Sequence, residues 1–173
     1  MISEQRSKYK SWSDIKKQMN DLLCDSLKGR ISYFYTRYHK DRGSFGRATI
    51  NLDKNELISF SWDVGIDIQW DDEYKAYIEN PTVNQKTIHN MLMNEKWMQD
   101  GTLCHHDFLE AVTTYLKIDI TTALSSDNYI LRTLAYMDRR IGKRTLIKIK
   151  DDVEELPNWV KQFYRIRCES EGL

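Results

Sequence analysis

Proline is scarce in this chain, with two in 173 residues, and there are only seven glycines. A chain so poor in breakers favours long regular elements with short connections and carries no Pro/Gly-rich linker. Cysteine is scarce as well. Cys24, Cys104 and Cys168 are odd in number and far apart, which excludes a disulfide framework and predicts reduced thiols in a cytoplasmic protein. No run approaches about 18 apolar residues, so no transmembrane helix and no membrane partner are expected. The opening residues 1–8 hold no apolar stretch of the kind a signal peptide needs.

Aromatic residues, by contrast, are plentiful. At 12% of the chain, beside 40% hydrophobic and 30% charged residues, they supply the apolar area that an ordered chain requires, and the length fits one domain. The expected organisation is a single domain over 1–173. Residues 1–11 fray, residues 12–80 form a helix-plus-sheet layer, and residues 81–173 form a helical layer on it.

Residues 12–28 read as an amphipathic helix. Trp12, Ile15, Met19, Leu22, Leu23 and Leu27 make one stripe, Ser11 or Ser13 caps the start, and Gly29 takes the left-handed position at the end. Period-2 alternation then predicts strands at 30–38, 47–52, 57–62 and 66–70. Their connections are too short for parallel crossovers, so the sheet is an antiparallel meander of about four strands. Ile31, Tyr33 and Tyr35 face the core beneath the first helix.

Helical spacing returns after Pro81. Helices are predicted at 83–98, 106–117 and 120–124, the last capped by Asp119. Another follows Asn128 with Ile130, Leu131, Leu134, Met137 and Ile141 on one face, and a final one has Pro157 in its first turn. Helix, sheet and then helices, segregated in sequence, give an α+β fold with four or five C-terminal helices.

The zero net charge hides two opposed blocks. Residues 63–79 carry six acids against one base, and residues 139–150 carry six bases and no acid. Segregated charge of this kind creates local fields that select partners. Arg139, Arg140, Lys143 and Arg144 are the leading partner-binding candidates. Gly142 is expected to close the helix they end, where bases favour its negative pole. Together with these helix-end charges, pairing inside the fold, with Asp138 bracing an arginine or the acids of 63–79 meeting Arg139 or Arg140, is the leading structural reading of the block, ahead of an open binding surface. A second group, Arg30, Arg37, Arg42 and Arg47, is interleaved with Tyr33, Tyr35 and Tyr38, a pattern used by sheets that hold single-stranded nucleic acid. Arg37 and Arg47 are therefore further candidates.

Other chemistry finds less support. Cys104-His105-His106-Asp107 lacks the second, spaced ligand pair of a zinc site. Gly142-Lys143-Arg144-Thr145 lacks the earlier glycine of a phosphate-binding loop and follows a helix rather than a strand. The acids of 63–79 lack the EF-hand spacing. No catalytic residue, metal or cofactor is assigned, because no nucleophile with its base and orienting group can be named.

The segments LLCDSLKGRI (22–31), GRA (46–48), SDN (126–128), DRRIGKR (138–144) and FYRIRCESEG (163–172) together resemble a family of small bacterial cytoplasmic proteins that has no established activity. The resemblance implies a bacterial or bacteriophage setting and transfers no site residue. The functional expectation is a non-enzymatic protein that binds a macromolecular partner, foremost a protein, as an accessory or antagonist of a toxin or defence system. The alternative is a nucleic-acid-binding accessory that uses the basic block 139–150.

Overall fold

The computed structural model describes residues 11–40, 43–61, 96–101 and 103–173. The first helix, α1 (Trp12–Leu22), is capped by Ser11, whose Oγ accepts from the Asp14 backbone N–H at 3.3 Å. It stops short of the expected residue 28. The chain leaves the helix at Leu23 because its backbone finds partners elsewhere. Cys24 N–H donates to the Met137 carbonyl at 2.9 Å, Arg139 N–H donates to the Leu22 carbonyl at 2.8 Å, and Leu23 bridges Asp138. Gly29 does adopt the left-handed conformation, at φ 76°, but it ends the turn ahead of the sheet rather than a helix.

Three antiparallel strands follow in the order β1 (Ile31–Lys40), β2 (Gly43–Leu52) and β3 (Asn55–Ser61). The count is three rather than about four, and the expected strand at 66–70 lies outside the described residues. β1 and β2 pair without interruption from Ile31↔Leu52 to Lys40↔Gly43, while a register shift at Ile50/Asn51 marks the β2–β3 ladder. Asp53 and Lys54 join β2 to β3 with φ values of 49° and 71°, the handedness that matches the twist of a two-residue hairpin. Arg30 secures this turn, donating from Nε and a terminal nitrogen to the two Asp53 carboxylate oxygens at 3.1 and 2.7 Å.

Seven helices are described beyond the sheet: α2 (Lys96–Asp100), α3 (His105–Tyr115), α4 (Ile120–Leu124), α5 (Tyr129–Tyr136), α6 (Lys143–Lys148), α7 (Lys150–Glu154) and α8 (Asn158–Glu171). The rest of the helix expected at 83–98 lies outside the described residues. Asp119 caps α4 by accepting from Thr122 N–H at 2.9 Å, and Asn128 caps α5 by accepting from Ile130 N–H at 3.0 Å. Pro157 occupies the N-cap of α8, one place earlier than expected.

The core lies between α1, the inner face of the sheet and the helices α3, α5 and α8. Ile31, Tyr33, Ala48, Ile50 and Phe60 from the strands are buried with Met19, Leu23, Phe108, Tyr115, Leu134 and Phe163. Phe60 stacks on Phe108 at a centroid separation of 5.1 Å, and Trp12 tilts over Tyr35 at 5.3 Å. This places Ile31, Tyr33 and Tyr35 on the face covered by α1, as their alternation required.

Candidate partner-binding surface

The sequence placed the basic block at the end of a helix closed by Gly142. In the structure α5 ends at Tyr136, a six-residue turn follows, and Gly142 is the N-cap of α6. The cause is Asp138. Its side chain is fully buried, and its Oδ1 accepts from the Arg140 backbone N–H at 2.7 Å, bending the chain out of the helix.

Asp138 also organises Arg140. The guanidinium donates to Asp138 through Nε at 3.0 Å and through a terminal nitrogen at 2.8 Å, and it lies 5.5 Å from the centre of the Tyr115 ring. The Tyr115 hydroxyl donates to Asp138 Oδ2 at 2.6 Å. These hydrogen bonds to the carboxylate raise the Arg140 pKa further above its ordinary value, while burial and the neighbouring Asp138 raise that of Tyr115. Arg140 thus braces the buried carboxylate from an exposed position, the bracing of an arginine by Asp138 that sequence left open. Whether the acids of 63–79 meet Arg139 or Arg140 lies outside the described residues.

The rest of the block is mounted on α8. Lys143 Nζ donates to the Glu171 carbonyl, Arg167 donates to the Ile141 carbonyl at 2.9 Å, and the Tyr164 hydroxyl donates to the Leu146 carbonyl at 2.7 Å. Leu146 is buried beneath α6. Three side-chain-to-backbone bonds and one apolar anchor therefore fix α6, and its outer side is presented to solvent. Arg144, Ile147 and Lys148 stand at i, i+3 and i+4, which places them on one side of the helix. All three are exposed, Ile147 at 61%. Among the described residues no carboxylate lies within ion-pair distance of Arg144, Lys148 or the exposed Arg139.

The second arginine group does not converge with the first or with itself. Arg47 pairs with Glu56 and donates to Ser59 Oγ at 3.3 Å on the outer face of the sheet. Arg37, two residues beyond Tyr35, shares the face of Tyr33 and Tyr35, opposite to that of Arg47, and its charge adds to burial in lowering the His105 and His106 pKa values. Arg30 clamps the β2–β3 turn, and Arg42 lies outside the described residues. A continuous stacking surface of bases and tyrosines is not formed by the described members, because Tyr33 is in the core.

Cys104-His105-His106-Asp107 opens α3. Asp107 Oδ2 accepts from the Cys104 backbone N–H at 2.8 Å, the contact that starts the helix. His105 is fully buried, with its ring against Gly46 and 5.9 Å from the Tyr35 ring. Burial, with smaller contributions from His106 and Arg37, depresses its pKa to about 4, and burial pushes the Cys104 thiol up to about 12. A thiol so hard to ionise is a poor nucleophile at neutral pH. Among the described residues no group of His, Cys, Asp and Glu is arranged to hold a metal, and no helix is long and apolar enough to cross a membrane.

Sequence reading did not single out Arg167, which is only 3% exposed. It bonds Ile141 and pairs with Glu171 at 3.2 Å, and Glu171 in turn accepts from Ser26 Oγ at 3.2 Å. The signal was present: Val160, Phe163, Tyr164 and Arg167 recur at helical spacing, so Arg167 falls on the buried stripe of α8.

The model of the SF0329 protein family matches residues 11–168, and the chain belongs to that family. No curated protein and no solved structure matches it.

Proposed function

We propose that this member of the SF0329 protein family is a non-enzymatic binding protein that docks an acidic protein partner on the outer side of α6. The observation that carries this reading is the exposed triplet Arg144, Ile147 and Lys148, held on a helix that α8 fixes from beneath. Two cations without a described carboxylate favour a negative surface. An exposed isoleucine between them favours a protein over a nucleic acid, because a sugar–phosphate backbone offers a branched aliphatic side chain little to cover it. A fixed platform also lowers the ordering cost of binding. All four bases that sequence grouped here are exposed, and Arg140 and Lys143 in addition hold the platform through hydrogen bonds to Asp138 and Glu171. The setting expected of such a protein is that of an accessory or antagonist in a toxin or defence system.

The test uses the full chain as bait in its native host, beside a variant carrying Arg144→Glu and Lys148→Glu. The expected result is a stoichiometric acidic protein that the wild type retains at low salt. It is lost in the variant and progressively lost at high salt. Oligonucleotide titrations of the same two proteins should show no binding. Tight oligonucleotide binding with a steep salt slope would replace this reading with the nucleic-acid alternative.

A further inference from the structure

Among the described residues no strand pairs with the outer edge of β1. Native sheets guard their edges with proline, inward-pointing charge, bulges or a covering element, because an open edge templates pairing with another strand. Residues 31–36 read Ile-Ser-Tyr-Phe-Tyr-Thr, with no proline and no charge, and the register shift of this sheet lies in the β2–β3 ladder instead. Asp53 N–H donates to the Arg30 carbonyl, one place beyond the Ile31↔Leu52 pair. Hydrogen-bonded pairs alternate along an antiparallel ladder, so Ser32, Phe34 and Thr36 exchange bonds with β2. The backbone groups of Tyr33 and Tyr35 point away from it, and among the described residues no other backbone group meets them.

A groove of about 620 Å³ lies along this edge, with Trp12, Lys16, Lys17 and Asp21 of α1 on one side and Phe34 and Tyr35 on the other. Phe34 is 45% exposed. We propose that this edge is the contact surface of a two-fold homodimer in which β1 of two copies pairs antiparallel about Phe34.

The sequence of β1 is compatible with itself in that register. Tyr33 of one copy falls opposite Tyr35 of the other, a pair that uses both sets of outward backbone groups. Phe34 meets Phe34 at a non-hydrogen-bonded position, where side chains approach most closely and aromatic pairs stabilise a ladder. Ser32 falls opposite Thr36 and Ile31 opposite Arg37, so no like charges confront one another. Lys16, Lys17 and Asp21 give the groove wall both signs, which a two-fold axis can set against each other. The chain's net charge of zero opposes association no further. The contact is isologous and closes at two copies. It lies apart from α6 and stands independently of the proposed function.

Sedimentation equilibrium from low to high micromolar concentration tests the proposal. The wild type should pass from the 20.6 kDa monomer to twice that mass. Phe34→Glu should stay monomeric at every concentration with an unchanged far-ultraviolet spectrum. Phe34→Cys should form a covalent dimer on mild oxidation, where the wild type does not. A wild type that remains monomeric at high micromolar concentration overturns the proposal, as does a dimer that survives Phe34→Glu. So does a monomer that retains a single-stranded oligonucleotide in the groove.

Discussion

Gly46 on β2 and His105 at the start of α3 touch so closely that a Cβ on Gly46 would lie 2.4 Å from His105 Cδ2. The ring cannot retreat, since His105 is fully buried. The contact joins two motifs that look unrelated in sequence, the Gly-Arg-Ala segment and the Cys-His-His-Asp segment, and it gives both a packing role. Gly46→Ala should therefore destabilise by about 1–3 kcal/mol through overpacking. In a double-mutant cycle with His105→Ala the costs should be clearly non-additive, as expected for residues in contact. Additive costs in chemical denaturation would separate the two sites.

The same histidine gives the fold an acid-sensitive element. Its pKa is about 4 in the folded chain against an ordinary value of 6.5, so between these the unfolded chain binds the extra proton. Stability from this group is full above about pH 6.5 and declines as pH falls toward 4. His106 is shifted in the same direction. Thermal midpoints followed from pH 7.5 down to pH 4.5 should fall less in His105→Gln than in the wild type. Parallel curves would show that His105 is not the group responsible.

Arg140 and Arg144, four residues apart, should respond oppositely to charge reversal. Arg140→Glu sets a second carboxylate against buried Asp138 and should cost roughly 1.5–3 kcal/mol, in the range of hydrogen bonds to charged groups. Arg144→Glu has no described partner to lose and should stay within about 0.5 kcal/mol of the wild type. Equal effects in urea unfolding would refute this division of roles.

Tyr115→Phe removes one of the hydrogen bonds to the Asp138 carboxylate and little else. It should destabilise by about 1.5–3 kcal/mol, and Asp138→Ala by more, because that change also frees Arg140 and the turn after α5. Unfolding midpoints that rank the two the other way would place the turn's stability elsewhere.

Leu23 is 3% exposed although α1 has already ended. Leu23→Ala should cost about 2–5 kcal/mol, the usual range for a leucine removed from a core. An unchanged midpoint would put this segment outside the cooperative unit.

Much of the architecture was written in local pattern. The stripe from Trp12 through Ile15 and Met19 fixed α1, the alternation of Ile31, Tyr33 and Tyr35 fixed the buried face of β1, and Asp119 and Asn128 marked two helix starts by their own side-chain hydrogen bonds. These features need only the neighbouring few residues, and sequence displays them directly. The end of α1 and the end of α5 were not legible in the same way. Helical spacing continues through Leu23 and Leu27, and through Met137 and Ile141, yet both segments leave the helix. Their backbones pair with each other across more than a hundred residues, and buried Asp138 captures Arg140 in the turn. The roles within the basic block were settled by the same event. Sequence by itself determined an α+β chain with a concentrated positive segment. Only the tertiary structure decided that, among these exposed bases, Arg140 is bonded to Asp138 and Lys143 to Glu171 while Arg144 and Lys148 have no described carboxylate partner, because long-range hydrogen bonds choose among side chains that local pattern leaves equivalent.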